Sequence, residues 1–246
     1  MHIVKNNILA LLLAMSAVFF AACAGTAENN GDAVTEQKTY EQQQNAGEKD
    51  AKYQERLQDK QAMLESMFAS FLDAVRNNAS AEVLYEFLTD TSEYWLDTLE
   101  NHARSYDADA LDTCQFYEAY AIILYRLYER EHLWETDDDR MLFLFLSKSG
   151  MLERFTQLNL GPLEYKNDRG SVGLASSPKV PIMLFEWDDT AWKLNLPETL
   201  PLITKGIESI AVKKKWTNRK LALYWIEKEY HMTYSRLDES LLDPIF

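Results

Sequence analysis

Pro181-Ile182-Met183-Leu184-Phe185-Glu186-Trp187-Asp188-Asp189-Thr190-Ala191-Trp192-Lys193-Leu194 reads as two strands about an acidic turn. Val180 to Trp187 is almost wholly apolar, and Trp192, Leu194 and Leu196 alternate with Lys193 and Asn195 at the two-residue period of a strand. With Asp188–Ala191 as the loop, Trp187 and Trp192 stand opposite one another as a cross-strand aromatic pair. A second hairpin precedes it. Leu163 and Tyr165, then Val172 and Leu174, alternate about Asn167-Asp168-Arg169-Gly170, where Gly170 is expected to supply the positive φ. Pro197 and Pro201 are expected to close the strand region.

Outward from the hairpins the period changes to that of helices. Tyr53, Leu57, Leu64, Met67, Phe68, Phe71, Leu72 and Val75 recur at three- and four-residue spacing and predict one long amphipathic helix ending at Asn77-Asn78. Val83, Leu84, Phe87 and Leu88 mark a short second helix. Asp90 with Glu93 looks like a capping box for a third, carrying Tyr94, Trp95, Leu96 and Leu99. A fourth is expected from about Asp109 to His132, apolar nearly all round and therefore central. Met141–Phe155 is read as mostly helical, and Thr217 as the cap of a last helix carrying Leu221, Leu223, Tyr224, Trp225 and Ile226.

Helices followed by a meander of strands define an α+β class: N-terminal helices on a curved antiparallel sheet, then a C-terminal helix. The phrase Pro181–Leu194, with its acidic turn and Trp192-Lys193, resembles the last two strands of proteins with the nuclear transport factor 2-like α+β roll. The resemblance covers roughly residues 55–196. It implies a cone-shaped cavity closed by helices, with Tyr117, Tyr120, Trp187 and Trp192 as candidate wall residues. It does not imply one chemistry, because function resides in sites and not in folds. The competing reading makes these four ordinary core aromatics.

The N-terminus sets the compartment. After Lys5, an apolar run of 13 residues from Ile8 to Phe20 is too short to cross a bilayer and has the form of an export signal. Phe20-Ala21-Ala22-Cys23 resembles the bacterial lipobox, with Phe20 at a position where Leu is usual. That resemblance makes residues 1–22 a signal peptide and Cys23 the site of lipidation. Two or three acyl chains hold a protein to a membrane far more firmly than one. Ala24, and not Asp, follows Cys23, which favours the outer membrane where a host has one. Residues 24–50 carry almost nothing large and apolar except Tyr40 and are expected to be a flexible tether, with a reach on the order of 30 Å. Residues 51–246 are expected to form a single α+β domain.

The full chain of 246 residues has 25 Lys+Arg against 39 Asp+Glu, a charge of −14. Removal of residues 1–22 takes Lys5 alone, leaving 24 basic against 39 acidic residues and a charge of −15. Such a surface is expected to repel phosphate backbones and anionic lipid headgroups, so nucleic acid is not expected as a partner. The expected partners are the membrane, through the anchor, and an envelope protein or small apolar ligand. Lys213-Lys214-Lys215 is the one basic exception, read as a solvated turn.

Catalytic and metal motifs are absent. Thr136-Asp137-Asp138-Asp139 lacks the spread of oxygen ligands and the glycine turn of a calcium loop, and reads as a helix cap. Glu227 and His231 are four apart, but no third ligand is evident. There is no Gly-x-Ser-x-Gly elbow and no glycine-rich phosphate loop. Cys114, left without a partner once Cys23 is acylated, reads as core filler. No cofactor and no metal are expected. Two functions remain: a non-catalytic envelope binding module, and, as the alternative, a cone-pocket isomerase- or dehydratase-like enzyme using a buried carboxylate of raised pKa.

Overall fold

A computed structural model describes residues 39–134, 139–146, 156–230 and 239–245. Cys23, the apolar run before it and Thr136–Asp138 lie outside these, as do His231 and residues 147–155 of the expected helix. The chain divides into two compact units, Met1–Ser66 and Met67–Phe246. The division falls inside the first helix, α1 (Thr39–Arg76), and not at the expected domain start of residue 51.

In the first unit, residues 39–66 are helical throughout. The tether expected to reach residue 50 is therefore replaced by helix from Thr39 onward. The physical reason is composition: Glu, Gln, Lys and Ala dominate here, and these residues lose little conformational freedom in a helix. Tyr53, the first residue of the expected stripe, is exposed.

In the second unit, the end of α1 buries Phe68, Phe71, Leu72 and Val75. There follow α2 (Ala81–Tyr85), α3 (Asp90–Ser105), α4 (Ala108–Thr113), α5 (Phe116–Glu131) and α6 (Arg140–Leu146). The sheet has strands β1 (Leu160–Lys166), β2 (Arg169–Leu174), β3 (Ser177–Trp187) and β4 (Trp192–Leu194). It is a four-stranded antiparallel meander in chain order. Helices α7 (Leu196–Lys214) and α8 (Asn218–Tyr230) and a 3-10 turn (Glu239–Leu242) complete it. The class is α+β, as the periodicities require.

The hairpin pairing is as read from the sequence: Trp187 pairs with Trp192, their rings edge to face at 5.6 Å. The first hairpin differs in one detail. Asn167 takes the left-handed conformation (φ 55°), while Gly170 sits in β2 opposite Tyr165 and Phe185. Asn tolerates that conformation because its short polar side chain bonds locally. Bulges between Val172, Gly173 and Leu174 curve the sheet. A side chain on Gly173 would meet the Val180 carbonyl oxygen at 2.5 Å, so this bulge requires glycine.

Three helix boundaries depart from expectation. The cap of α3 is Thr89, whose Oγ1 accepts from the Ser92 backbone N–H, one residue before the Asp90–Glu93 box. The fourth helix is two. Cys114 and Gln115 are both extended, and α5 restarts with the Gln115 N–H donating to Glu118 at 3.0 Å. Asn218 braces the break by donating to the Cys114 carbonyl at 2.9 Å. Finally, the last strand ends at Leu194, ahead of Pro197 and Pro201 as expected, but the two prolines lie in a helix, α7, that was not expected. Pro197, at the second helical position, lacks an N–H that would have no intrahelical partner there, whereas Pro201 lies inside the helix and forgoes one backbone bond. Asn195 caps that helix, accepting from the Glu198 N–H at 3.0 Å.

Helix α5 is the centre. Apart from Glu118, every residue from Phe116 to Tyr128 is buried, and α5 packs against α3, α6, α7, α8 and the 3-10 turn.

Candidate functional site

Arg126 is the one charged side chain in the fully buried part of α5. Among the described residues it pairs with no carboxylate. Its Nε donates to the Ala103 carbonyl at 2.8 Å, Nη1 to Leu241 at 3.2 Å, and Nη2 to His102 at 3.5 Å and to Tyr106. The acceptors are the last-turn carbonyls of α3 and the 3-10 turn near the C-terminus. A helix end leaves such carbonyls without partners, and a cation there also meets the negative end of the helix dipole. Burial pushes the Arg126 guanidinium down to about 10, so it stays cationic at neutral pH.

Beside this knot opens a cleft of about 540 Å³, lined by Arg104, Tyr125, Arg126, Glu129, Arg130, Ser240, Leu241 and Ile245. Its volume is that of a small-ligand site. Each of the other cations is steadied by a carboxylate. Arg104 pairs with Glu100 and Arg130 with Glu131 at 3.2 Å, while Glu129, in the wall, is taken by Arg140. Tyr125 donates its hydroxyl to Glu100 at 3.1 Å, and Arg130 donates to the Ser240 hydroxyl at 3.1 Å. Three guanidiniums therefore face one wall carboxylate that is already occupied, with Leu241 and Ile245 as the apolar part. This arrangement suits a ligand with an apolar body and an anionic group.

The four residues proposed as a cavity wall fall into two clusters. On α5, Tyr117 lies against Trp95 at 5.9 Å, with burial pushing its hydroxyl up to about 12, and Tyr120 donates to Glu229 at 2.6 Å. On the sheet, buried Trp192 stands between Trp187 and Tyr165 at 5.6 and 5.4 Å. These contacts are those of core packing. Cys114 is buried, its thiol pushed up to about 11 by burial and donating to the Ala110 carbonyl at 3.5 Å. A protonated thiol is a poor nucleophile.

Asp139 and Tyr85 form a partly buried pair that the sequence did not suggest. Burial raises both groups, and the Tyr85 hydroxyl bonds to the carboxylate. Asp139 also accepts from the Leu142 backbone, the bond of an N-cap residue immediately before α6. No family model, no curated protein and no solved structure matches this chain. Among the described residues no group of three His, Cys, Asp or Glu is placed to hold a metal ion.

Proposed function

We propose that this chain is a lipid-anchored protein of the bacterial cell envelope, on the outer membrane where the host has one. Its folded unit is a non-catalytic binding module for an envelope partner or a small ligand. The observation that carries the reading is Phe20-Ala21-Ala22-Cys23 directly after the apolar run Ile8–Phe20. Membrane attachment is assigned to acyl chains on Cys23; among the described residues no helix is long and apolar enough to cross a membrane. Fractionation of cells expressing Cys23→Ala tests this. The unaltered chain is expected with the membranes and the variant free of them; a variant that stays with the membranes defeats the anchor.

The arginine-lined cleft is the proposed ligand site, with cations held in place. Anilinonaphthalene sulfonate, an apolar body with one anionic group, is a suitable probe. Arg104→Gln with Arg130→Gln is expected to weaken its binding about tenfold, equivalent to ~1.4 kcal/mol, without lowering the melting temperature. Unchanged dye affinity would remove the cleft from the account. The roll-like arrangement remains the preferred reading of the sheet, supported by its curvature and by helices preceding a meander. The enzyme alternative has the Tyr85–Asp139 pair in its favour, but capping of α6 explains the same pair, and the binding reading stands first.

A further inference from the structure

The turn between α7 and α8 reverses the charge of the chain. Residues 205–228 hold seven basic and two acidic side chains in a protein of net charge −14. Three of the basic groups lie over aromatic rings. Lys214 Nζ lies 4.3 Å from the centre of the Trp216 ring and 5.2 Å from that of Tyr224. Lys220 lies 5.4 Å over Trp216, and Lys228 5.6 Å over Tyr224. Beside them Val212 is 80% exposed, the most exposed large apolar side chain among the described residues.

Lysines at a helix C-terminus are favoured by the helix dipole alone. Two features of this turn are left unexplained by the dipole. Lys215 is in the left-handed conformation (φ 53°) at the C-cap, a place that favours glycine, so its side chain is kept against a backbone cost. Val212 sits in the midst of the lysines, where burial in water-facing protein is impossible. An apolar tip among lysines, with Trp and Tyr rings beneath three of the ammonium groups, is the composition of a surface that enters the headgroup layer of a membrane.

We propose that this turn docks on anionic lipid headgroups, so that the folded unit is held against the membrane by its own surface. The occupant is a lipid surface and not a soluble anion, because a free phosphate satisfies the lysines but offers nothing to Val212. The acidic remainder of the chain does not forbid this. Charges farther off than a Debye length of ~8 Å are largely screened at physiological salt. The inference stands on the turn's own geometry and survives loss of the Cys23 anchor.

The test uses the full chain carrying Cys23→Ala, with vesicles of phosphatidylglycerol and, separately, of phosphatidylcholine. The apolar segment Ile8–Phe20 contributes alike to every variant, so the readout is the preference for the anionic vesicle. Lys213→Gln, Lys214→Gln and Lys215→Gln together are expected to reduce that preference about 100-fold, roughly tenfold for each 1.4 kcal/mol at ~1 kcal/mol per lysine. Val212→Asp, at an exposed position that leaves packing intact, is expected to weaken binding to the anionic vesicles while circular dichroism stays unchanged. An unaltered chain with no anionic preference overturns the proposal. So does a triple variant that keeps its preference, or release of the chain by inorganic phosphate at constant ionic strength.

Discussion

The two ends of α3 are fixed by opposite chemistry. At its N-terminus two neutral hydroxyls form a closed knot. Ser92 donates to the Leu194 carbonyl at 3.1 Å and accepts from the Leu196 N–H at 2.9 Å. Its own hydrogen being committed, Thr89 donates to Ser92 across 2.8 Å and accepts from the Ser92 N–H at 3.2 Å. At the C-terminus a single buried cation gathers four carbonyls. The neutral knot joins α3 to the end of β4 and the start of α7. The cationic knot joins it to α5 and the 3-10 turn. The hydroxyls lose little on leaving water and gain modest bonds, whereas the guanidinium costs much to bury and is retained only because every side of it is met. The cationic end is therefore the more fragile, and it borders the proposed ligand cleft.

That contrast orders the expected effects of substitution. Arg126→Leu removes the donor from the Ala103, Tyr106 and Leu241 carbonyls, while His102 keeps the Tyr106 N–H, and should lower unfolding free energy by about 3–4 kcal/mol in denaturant titration, with Arg126→Lys intermediate. A loss under ~1 kcal/mol would mean that the carbonyls find other partners. Ser92→Ala leaves the Leu196 N–H without its partner, while the Leu194 carbonyl keeps the Thr89 N–H at 3.1 Å, and should cost about 2 kcal/mol. Thr89→Ala removes only the cap and one donor, and about 1 kcal/mol is expected. If Thr89→Ala proved costlier than Arg126→Leu, the ranking of the two ends would be reversed.

The smallest effect is a pH slope at the cationic end. Burial lowers the His102 pKa below its ordinary 6.5, partly opposed by Glu118, and the ring stacks on Tyr106 at 3.9 Å. The unfolded chain then takes up the proton first. Stability from this group is complete above the unfolded value and is lost as pH falls through the folded one. Between about pH 8 and about pH 5, His102→Gln should lose stability less steeply than the unaltered chain. Parallel curves would place His102 outside the account.

The paired tryptophans were readable because strand alternation and an acidic turn fix register locally. Thr217 was readable too: its Oγ1 accepts from the Lys220 N–H at 3.2 Å. The break at Cys114 was missed, although Gln115 and Glu118 carry the spacing of a reciprocal cap, because the apolar run on either side hides it. Helix α7 was hidden by two prolines, Pro197 at its start and Pro201 inside it. Arg126 had the clearest unread signal. A lone cation in a helix apolar all round cannot face water, so its partners must be sought inside. The acceptors themselves lie 20 to 115 residues away in the chain, which no local pattern reveals. The cleft is assembled from α3, α5 and the C-terminus, and was not legible for the same reason.

The most direct test of the central claim is the intact mass of the chain purified from its native membrane. The account predicts a chain beginning at Cys23 and heavier than its residues by a diacylglyceryl group, with or without an added acyl chain on the new amino terminus. A chain with an unmodified Cys23 would contradict it.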